Sequence, residues 1–302
     1  MIKLIIILIG LLFFLMACGE GQVTIDPSKY EAKIVIDGYL YPNQLVDRIK
    51  IMRNLPIGTN ISKSELALSD AVVVLTDLNV TPNVSLPLRF NTDSLYYYDD
   101  GNNIVIQYGG EYMIEVQATI DDKALEASSI TKVPLAGFTI YDSLSTQQIS
   151  FSDIAQSGIL PRPILYFNRS DGTDFYAFSI LAVDATLNSF IYNVHPFGGN
   201  IKQKDVEENF DTFRKSHDTI FNTPQVADTS QWEINWFHMW FMGQYRVIAY
   251  AGDENMKNYY LTHANVIETD GNLHEPEMNI TGDGIGIFGS AISDTFYFDL
   301  VP

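Results

Sequence analysis

Apolar and polar residues alternate along much of the chain in short runs that are typical of β-strands. Residues 48–51 and 112–120 alternate between polar and apolar side chains, as half-buried strands do. Residues 71–75 form a continuous apolar run, which favours a strand buried on both faces. Turn sequences at 121–122 and 171–172 separate such runs. This spacing, with little helical periodicity, predicts a mainly β fold of the sandwich type.

One segment has the pattern of a helix. Residues 253–264 begin at Asp253, which can cap the N-terminus of a helix. Residues at spacings of three and four fall on one face of this helix, namely Met256, Tyr259, Tyr260 and His263.

The beginning of the chain has the features of an exported lipoprotein. Lys3 is followed by a charge-free apolar stretch that is shorter than the ~20 residues of a membrane span. Leu15-Met16-Ala17-Cys18 resembles the bacterial lipobox, in which a thiol receives a diacylglyceryl group behind a small residue. The sequence therefore predicts a signal peptide over residues 1–17, a lipidated Cys18 and a polar tether over 18–29. An ordinary signal peptide with a chance cysteine is the alternative.

Charge and cysteine content exclude several classes of function. The chain carries a net charge of −19, and loss of Lys3 with the signal peptide brings it to −20. Nucleic acid and anionic lipid surfaces both require basic surfaces, so neither is an expected partner. Cys18 is the single cysteine, so a lipidated chain has no disulfide, no thiolate zinc site and no thiol nucleophile.

Three segments together resemble a known family. They are Tyr30-Glu31-Ala32-Lys33-Ile34-Val35-Ile36-Asp37-Gly38, the run 71–75 with the later Gly109-Gly110-Glu111-Tyr112, and the glycine-rich stretch 279–290. Their order resembles uncharacterised Bacteroidota envelope lipoproteins with a domain of unknown function. Genes of that family often lie beside genes for TonB-dependent outer-membrane transporters. The family form of the third segment has adjacent glycines where this chain has Gly282-Asp283-Gly284.

The resemblance implies a domain organisation. It implies an N-terminal immunoglobulin-like β-sandwich, placed at residues 30–134, and a second β-rich domain with one or two short helices at 163–302. Residues 135–162 are then a linker, whose apolar side chains can dock on a neighbouring domain. The family has no known catalytic residues, so the resemblance transfers none.

The three tryptophans form the first candidate binding site. On a strand, Trp232, Trp236 and Trp240 would share one face, and an exposed row of indoles could bind a sugar or an apolar ligand. The alternative is that this face belongs to the core. The run is expected to form a hairpin with residues 245–251 around Gly243.

Two further strings resemble sites but lack the required context. Residues 284–289 match GxGxxG, yet no helix and no second strand of a βαβ unit follow. The prediction is therefore a glycine-rich turn whose backbone passes close to neighbouring structure, not a nucleotide site. His274-Glu275-Pro276-Glu277 has no zinc spacing, because Pro276 breaks a helix. No metal and no cofactor are predicted.

Three short strings match the Asp-Ser/Thr-aliphatic sequon for O-glycosylation in the same bacterial group. The candidate acceptors are Ser94, Ser143 and Thr219. Each would have to be exposed to carry a glycan.

These observations predict a non-enzymatic binding or accessory lipoprotein of the outer membrane, near a TonB-dependent transporter and at the cell surface rather than the periplasmic face. The lipid on Cys18 would hold it at the membrane and raise its effective concentration there. One alternative is a structural or assembly subunit of an outer-membrane complex. Another is a secreted hydrolase acting on glycans, which would require converging carboxylates in a cleft.

Overall fold

The computed structural model of the protein describes most of the chain that follows the predicted tether. The described residues are 30–56, 58–59, 61–101, 103–152, 161–192, 195–196, 199, 201–221, 229–263 and 276–302. Cys18, the signal peptide 1–17 and the tether 18–29 lie outside these ranges.

The chain divides into two compact units. Ala32–Asn54 and Ile61–Pro302 form the larger unit, which contains every strand and helix given below. The smaller unit comprises Met1–Glu31 and Leu55–Asn60, and its described residues form no helix or strand.

Strands dominate the larger unit. In chain order they are β1 (Ile34–Leu40), β2 (Lys50–Arg53), β3 (Val72–Asp77), β4 (Val84–Pro87), β5 (Arg89–Asn91), β6 (Tyr96–Tyr98), β7 (Glu111–Ile120), β8 (Lys123–Lys132), β9 (Thr139–Ile140), β10 (Gln148–Ser150), β11 (Ile164–Asn168), β12 (Phe175–Ala182), β13 (Lys215–Phe221), β14 (Ser230–Glu233), β15 (Gly243–Gly252), β16 (Thr281–Gly282) and β17 (Gly284–Val301). The α-helices are α1 (Lys63–Leu66), α2 (Gln203–Glu208), α3 (Phe210–Arg214) and α4 (Glu254–His263), and single 3₁₀ turns lie at Leu187–Ser189 and Trp236–His238.

A seven-stranded sheet runs through the larger unit. Its order is β13-β12-β15-β17-β1-β2, and β10 also pairs with β17. The first half of the long strand β17 runs parallel to β1, with Ile36 opposite Gly286. Its second half runs antiparallel to β15, with Val247 opposite Phe296. β17 therefore joins β1, from the N-terminal half, to β15 and its neighbours from the C-terminal half.

A two-layer β-sandwich forms in the N-terminal half. The second sheet has the order β16-β8-β7-β3-β4, and its buried side chains share one core with those of β1 and β2. Ile36 and Ile51 on one layer and Leu75 and Ile114 on the other are each at most 1% exposed. Along β1 and β7, buried residues alternate with less buried ones, so every second side chain points into this core.

A second core lies between the large sheet and the three-stranded sheet β14-β11-β9. Phe167 on β11 contacts Phe178 on β12 at 6.1 Å between ring centroids, and Trp232 on β14 stacks on Phe178 at 4.0 Å. Phe138, Ile140 and Ile149, from the predicted linker, are buried in this same core. One face of the large sheet is thereby covered.

The prediction of a mainly β fold with sandwiched sheets and few, short helices is confirmed. α4 occupies the predicted segment, and Asp253 caps it, because its Oδ1 accepts a hydrogen bond from the backbone N–H of Met256 at 3.0 Å. α1, α2 and α3 span four to six residues each, and helices this short leave no readable periodicity.

The division into domains at 30–134 and 163–302 stays a prediction, although sheets cross the proposed boundary. β1 pairs with β17, and β16 pairs with β8. Pairing between strands so distant in the chain is a tertiary property, which local patterns do not encode.

The turn predicted at 284–289 is wrong, whereas the close approach of its backbone to neighbouring structure is confirmed. These residues form the beginning of β17 instead. Gly286 has a φ of +107°, and an added Cβ there would lie 2.2 Å from the carbonyl oxygen of Ile36. Glycine at this position thus allows β1 to lie close to β17. In a dinucleotide site the glycines instead lie in the turn between a strand and a helix.

Candidate functional site

The second face of the large sheet is only partly covered. Along β12 and β15 the side chains of Phe178 and Val247 enter the core, while their neighbours point to the opposite face. Ala177 lies opposite Tyr250 and Ser179 lies opposite Ile248 in the antiparallel register. We call the surface formed by these outward residues the open face.

Helix α4 packs on one end of the open face. Met256, near the start of the helix, is 4% exposed and packs with Phe175, Ile287 and Ala291. Its N-terminal cap, Asp253, also accepts a hydrogen bond from the Thr131 hydroxyl at 2.5 Å, which ties the helix to β8. The predicted helix face thus points toward the sheet.

A cleft of about 760 Å³ lies between α4 and the open face. Aromatic side chains from β1 and the residue after it, from β15 and from α4 line it, namely Tyr39, Tyr41, Tyr250, Tyr259 and Tyr260. Polar side chains complete the lining, namely Asp37, Ser179, His217, Thr219 and His263. Asp218 also borders the cleft, but it lies opposite Phe178 and its side chain points to the core face, toward Trp232. A concave surface of this size, mostly aromatic and with a few polar groups, is typical of a ligand site.

Ring contacts hold the tyrosines in place. Tyr260 stacks on Phe175 at 5.7 Å with an interplanar angle of 26°, and it remains 36% exposed. Tyr259 lies perpendicular to Tyr260 and stacks on His263 at 5.1 Å. On the opposite wall, the rings of Tyr41 and Tyr250 are 6.3 Å apart. The aromatic surface is therefore pre-organised.

Four phenol groups of the cleft are held in their neutral form by burial, namely those of Tyr39, Tyr41, Tyr250 and Tyr259. Burial raises the pKa of Tyr39 well above 10, and the neighbouring Tyr260 hydroxyl raises it further. Burial likewise raises the pKa of Tyr41, Tyr250 and Tyr259. A neutral hydroxyl both donates and accepts hydrogen bonds, so the cleft offers ambivalent polar groups at physiological pH.

Two aspartates near the cleft have partners, Asp37 on the open face and Asp218 on the core face of the sheet. Asp37 forms an ion pair with Lys50 at 2.9 Å. Asp218 accepts a hydrogen bond from the Trp232 indole at 3.0 Å, and its carboxylate lies 3.8 Å from His238 Nε2. Burial would raise the pKa of Asp218, but hydrogen bonds from His238, Thr219 and Trp232 outweigh it and lower that pKa. This carboxylate is therefore a poor proton donor.

The structure corrects the exposed tryptophan row. β14 ends at Glu233 and a 3₁₀ turn follows at Trp236–His238, so the three indoles do not share a strand face. Trp232 is 5% and Trp236 is 1% exposed, and both belong to the core. Trp240 is partly buried and stacks on His195 at 3.9 Å. The run 232–240 also does not pair with β15, because β15 pairs with β12 and β17.

The candidate glycosylation residues lie in different settings. Ser94 is exposed in the turn between β5 and β6, and Ser143 is exposed in the turn between β9 and β10. Thr219 lies on β13, is partly buried and lines the cleft. Glycosylation of all three stays a prediction.

The described residues hold no cluster of three or more His, Cys, Asp or Glu side chains suited to a metal ion. His274 and Glu275 lie outside the described residues. Within the described ranges, the helices are all too short or too polar to traverse a bilayer.

The sequence did not predict the tyrosine cleft. It identified the face of α4 with Tyr259 and Tyr260, but a helix face of this kind is usually core. Tyr39 and Tyr250 lie far apart in the chain, and only the sheet order brings them to one surface. The available signal was a high tyrosine content, with 17 tyrosines against three tryptophans.

Comparisons with known proteins give one family match and several distant structures. A family model described as "Domain of unknown function (DUF4249)" matches residues 20–295. A comparison with curated protein sequences finds no significant match.

Three of the similar solved structures are a repeat of an adhesion protein, a bacterial adhesin and a set of CNTN1 domains. A tetra-tandem repeat from the extending region of a large adhesion protein has 13% identity over 89% of this chain, with a TM-score of 0.25. A 1.5-MDa bacterial ice-binding adhesin has 10% identity over 90% of this chain, with a TM-score of 0.21. Chicken CNTN1 FN1-FN3 domains have 9% identity over 89% of this chain, with a TM-score of 0.19.

The chain spans about half of the tandem-repeat structure, at 49%, and 65% and 68% of the other two. The TM-scores are low, so the fold class rests on the strands and sheets themselves.

Proposed function

The chain belongs to the family described as "Domain of unknown function (DUF4249)", and from this premise we propose that it is a lipid-anchored binding module of the Bacteroidota outer membrane. The lipid on Cys18 holds it at the membrane, on the cell-surface side, and the cleft between α4 and the open face binds a ligand. It works as an accessory protein beside a TonB-dependent transporter.

The tyrosine cleft is the observation that carries the binding role. Five tyrosines surround a volume of about 760 Å³, and Phe175 and His263 stack on two of them, Tyr260 and Tyr259. Exposed aromatic surface costs free energy in water, and aromatic clusters of this kind are typical of binding sites. The aromatic surface here lines a cleft, which suits a ligand that enters it better than a flat subunit contact.

The cleft is poorly suited to glycoside hydrolysis, which requires two carboxyl groups, one of which keeps its proton near neutral pH. Among the described lining residues, Asp37 is paired with Lys50. The Asp218 carboxylate points to the core face, and hydrogen bonds lower its pKa. The described lining therefore supports binding better than acid catalysis.

Membrane attachment is expected to depend on Cys18. We expect Cys18→Ala to abolish labelling with radioactive palmitate and to lower the amount in the outer-membrane fraction roughly tenfold, because stable anchoring requires two or more acyl chains. The variant should accumulate as a soluble or uncleaved form. Palmitate labelling, fractionation and intact mass measure these changes.

Met16→Leu is the matched control, since it keeps the cysteine and should remain labelled and membrane-bound. Palmitate labelling of Cys18→Ala at the level of the natural chain would contradict the anchor.

Protease treatment of intact cells tests the surface location, and affinity purification from solubilised membranes tests the transporter partner. If the purified protein is recovered with other outer-membrane proteins but without a TonB-dependent transporter, the alternative of an assembly subunit is favoured.

A further inference from the structure

We infer that the tyrosine cleft binds a neutral carbohydrate, a short oligosaccharide whose hydroxyl groups meet the phenols and whose C–H faces lie on the rings. This inference rests on the proposed binding function and adds the chemical class of the ligand. It follows from the charge, the hydrogen-bonding groups and the ring surfaces of the cleft.

The charge of the cleft lining is balanced. Among the described residues that line it, Asp37 is paired with Lys50, and the Asp218 carboxylate points to the core face, where it accepts a hydrogen bond from Trp232. Arg48 and Arg246 partly offset the rise in pKa that burial causes at Tyr41 and Tyr250, but neither arginine lines the cleft, and Arg48 is paired with Asp47 at 3.3 Å. A strongly charged ligand would lose its hydration without meeting an unpaired Lys, Arg or carboxylate in this lining, so a neutral ligand is favoured.

The polar groups of the cleft are ambivalent. Hydroxyls from five tyrosines, Ser179 and Thr219 line it, together with the imidazoles of His217 and His263. Each such group can donate or accept a hydrogen bond, whereas carboxylates only accept and ammonium groups only donate. Sugar hydroxyls are ambivalent in the same way, so the two sets can satisfy one another in many orientations.

The rings supply a flat apolar surface next to these hydroxyls. Tyr260 is backed by Phe175 and still 36% exposed, so one side of its ring is open to a ligand. Tyr39 is hydrogen-bonded to Tyr260, which fixes the phenol edge beside this surface. A pyranose ring combines apolar C–H faces with a hydroxylated edge, which matches this arrangement. The volume of about 760 Å³ exceeds the need of a single sugar and suits a short oligosaccharide.

The test measures binding to defined sugars. Detergent-solubilised mature protein is titrated calorimetrically with neutral hexasaccharides of glucose, mannose and xylose, and with oligogalacturonate as an acidic counterpart. At least one neutral sugar is expected to bind. Tyr260→Ala, which removes a ring, and Tyr250→Phe, which removes only a hydroxyl, should each weaken this binding about tenfold or more.

Tyr297→Ala is the matched control, because Tyr297 is 47% exposed on β17 and does not line the cleft. It should bind as the natural chain does. Hydrogen exchange in Glu254–His263 should slow when the sugar binds, which locates the site on α4.

Binding of oligogalacturonate alone, binding of no sugar, or full affinity in both cleft variants would each overturn the inference. Palmitate labelling and fractionation of Cys18→Ala do not depend on these titrations. A failed sugar titration with intact anchoring therefore rejects the ligand class and leaves the lipoprotein proposal standing.

Discussion

Gly286→Ala is expected to destabilise the fold by about 3 kcal/mol or more, and to lower the melting temperature by about 5 °C or more. Gly286 has a φ of +107°, a region that side chains with a Cβ rarely adopt. An added Cβ would lie 2.2 Å from the Ile36 carbonyl oxygen and 3.1 Å from its carbon. Since both atoms belong to the backbone of the paired strand β1, no side-chain rotation relieves the contact.

The central position of this contact explains the size of the effect. β17 pairs with β1, β15 and β10, so separation of β1 from β17 would disturb the large sheet and the core behind Ile36. Scanning calorimetry of the solubilised protein measures the change.

Gly172→Ala is the control that separates the destabilisation due to a positive φ from that due to the close contact with Ile36. Gly172 has a similar φ of +76°, but no atom lies within 4 Å of an added Cβ. The Gly172→Ala variant should therefore lose only about 1–2 kcal/mol of unfolding free energy. Equal losses in the two variants would show that close packing of β1 on β17 is not what requires Gly286.

Asp253→Asn is expected to remove part of the pH dependence of the free energy of unfolding. Asp253 is 7% exposed, and burial raises its pKa to about 6, although hydrogen bonds from Thr131, Met256 and Ser290 oppose this. A folded-state pKa above the unfolded value means that the folded chain holds a proton which the unfolded chain has released. The associated stability is fully present below about pH 4 and is lost as the pH rises to about 6.

The shift corresponds to about 3 kcal/mol over the full range, and to about 2 kcal/mol between about pH 4.5 and pH 7.5. The amide of the Asp253→Asn variant does not ionise, but its oxygen could still accept the hydrogen bond from the Met256 N–H at the start of α4. The difference in unfolding free energy between the two chains should therefore move by about 2 kcal/mol in favour of Asp253→Asn as the pH rises. Urea denaturation at both pH values measures it.

Asp99→Asn is the control of opposite sign. Asp99 is 5% exposed, and burial would raise its pKa, but the backbone N–H groups of Ile104, Gly101 and Asn103 outweigh burial and lower it. Its stabilising contribution is therefore present above about pH 4 and is lost as the pH falls through the folded-state pKa. A pH-independent difference for Asp253→Asn, with the expected change for Asp99→Asn, would show that Asp253 is not a buried acid.

Prediction from sequence succeeded where neighbours within a few residues set the structure. The alternation over 112–120 corresponds to β7, and Asp253 caps the helix that the 3–4 spacing indicated. It was wrong about a continuous strand with an exposed indole face at 232–240, because β14 ends at Glu233 and a 3₁₀ turn follows, whereas the alternative of core burial is confirmed for Trp232 and Trp236. Packing of Trp232 on Phe178 decided that case, and Phe178 belongs to another strand.

The sequence by itself determined the β-rich class, the capped helix α4 and the motif at Cys18, since each depends on local residue order. Only the tertiary structure decided that β17 lies beside β1, that Asp253 is buried between Thr131 and Ser290, and that tyrosines from β1, β15 and α4 line one cleft. The physical reason is that strand pairing and burial join residues distant in the chain. Local periodicity specifies which face of an element is apolar, but not which element covers it.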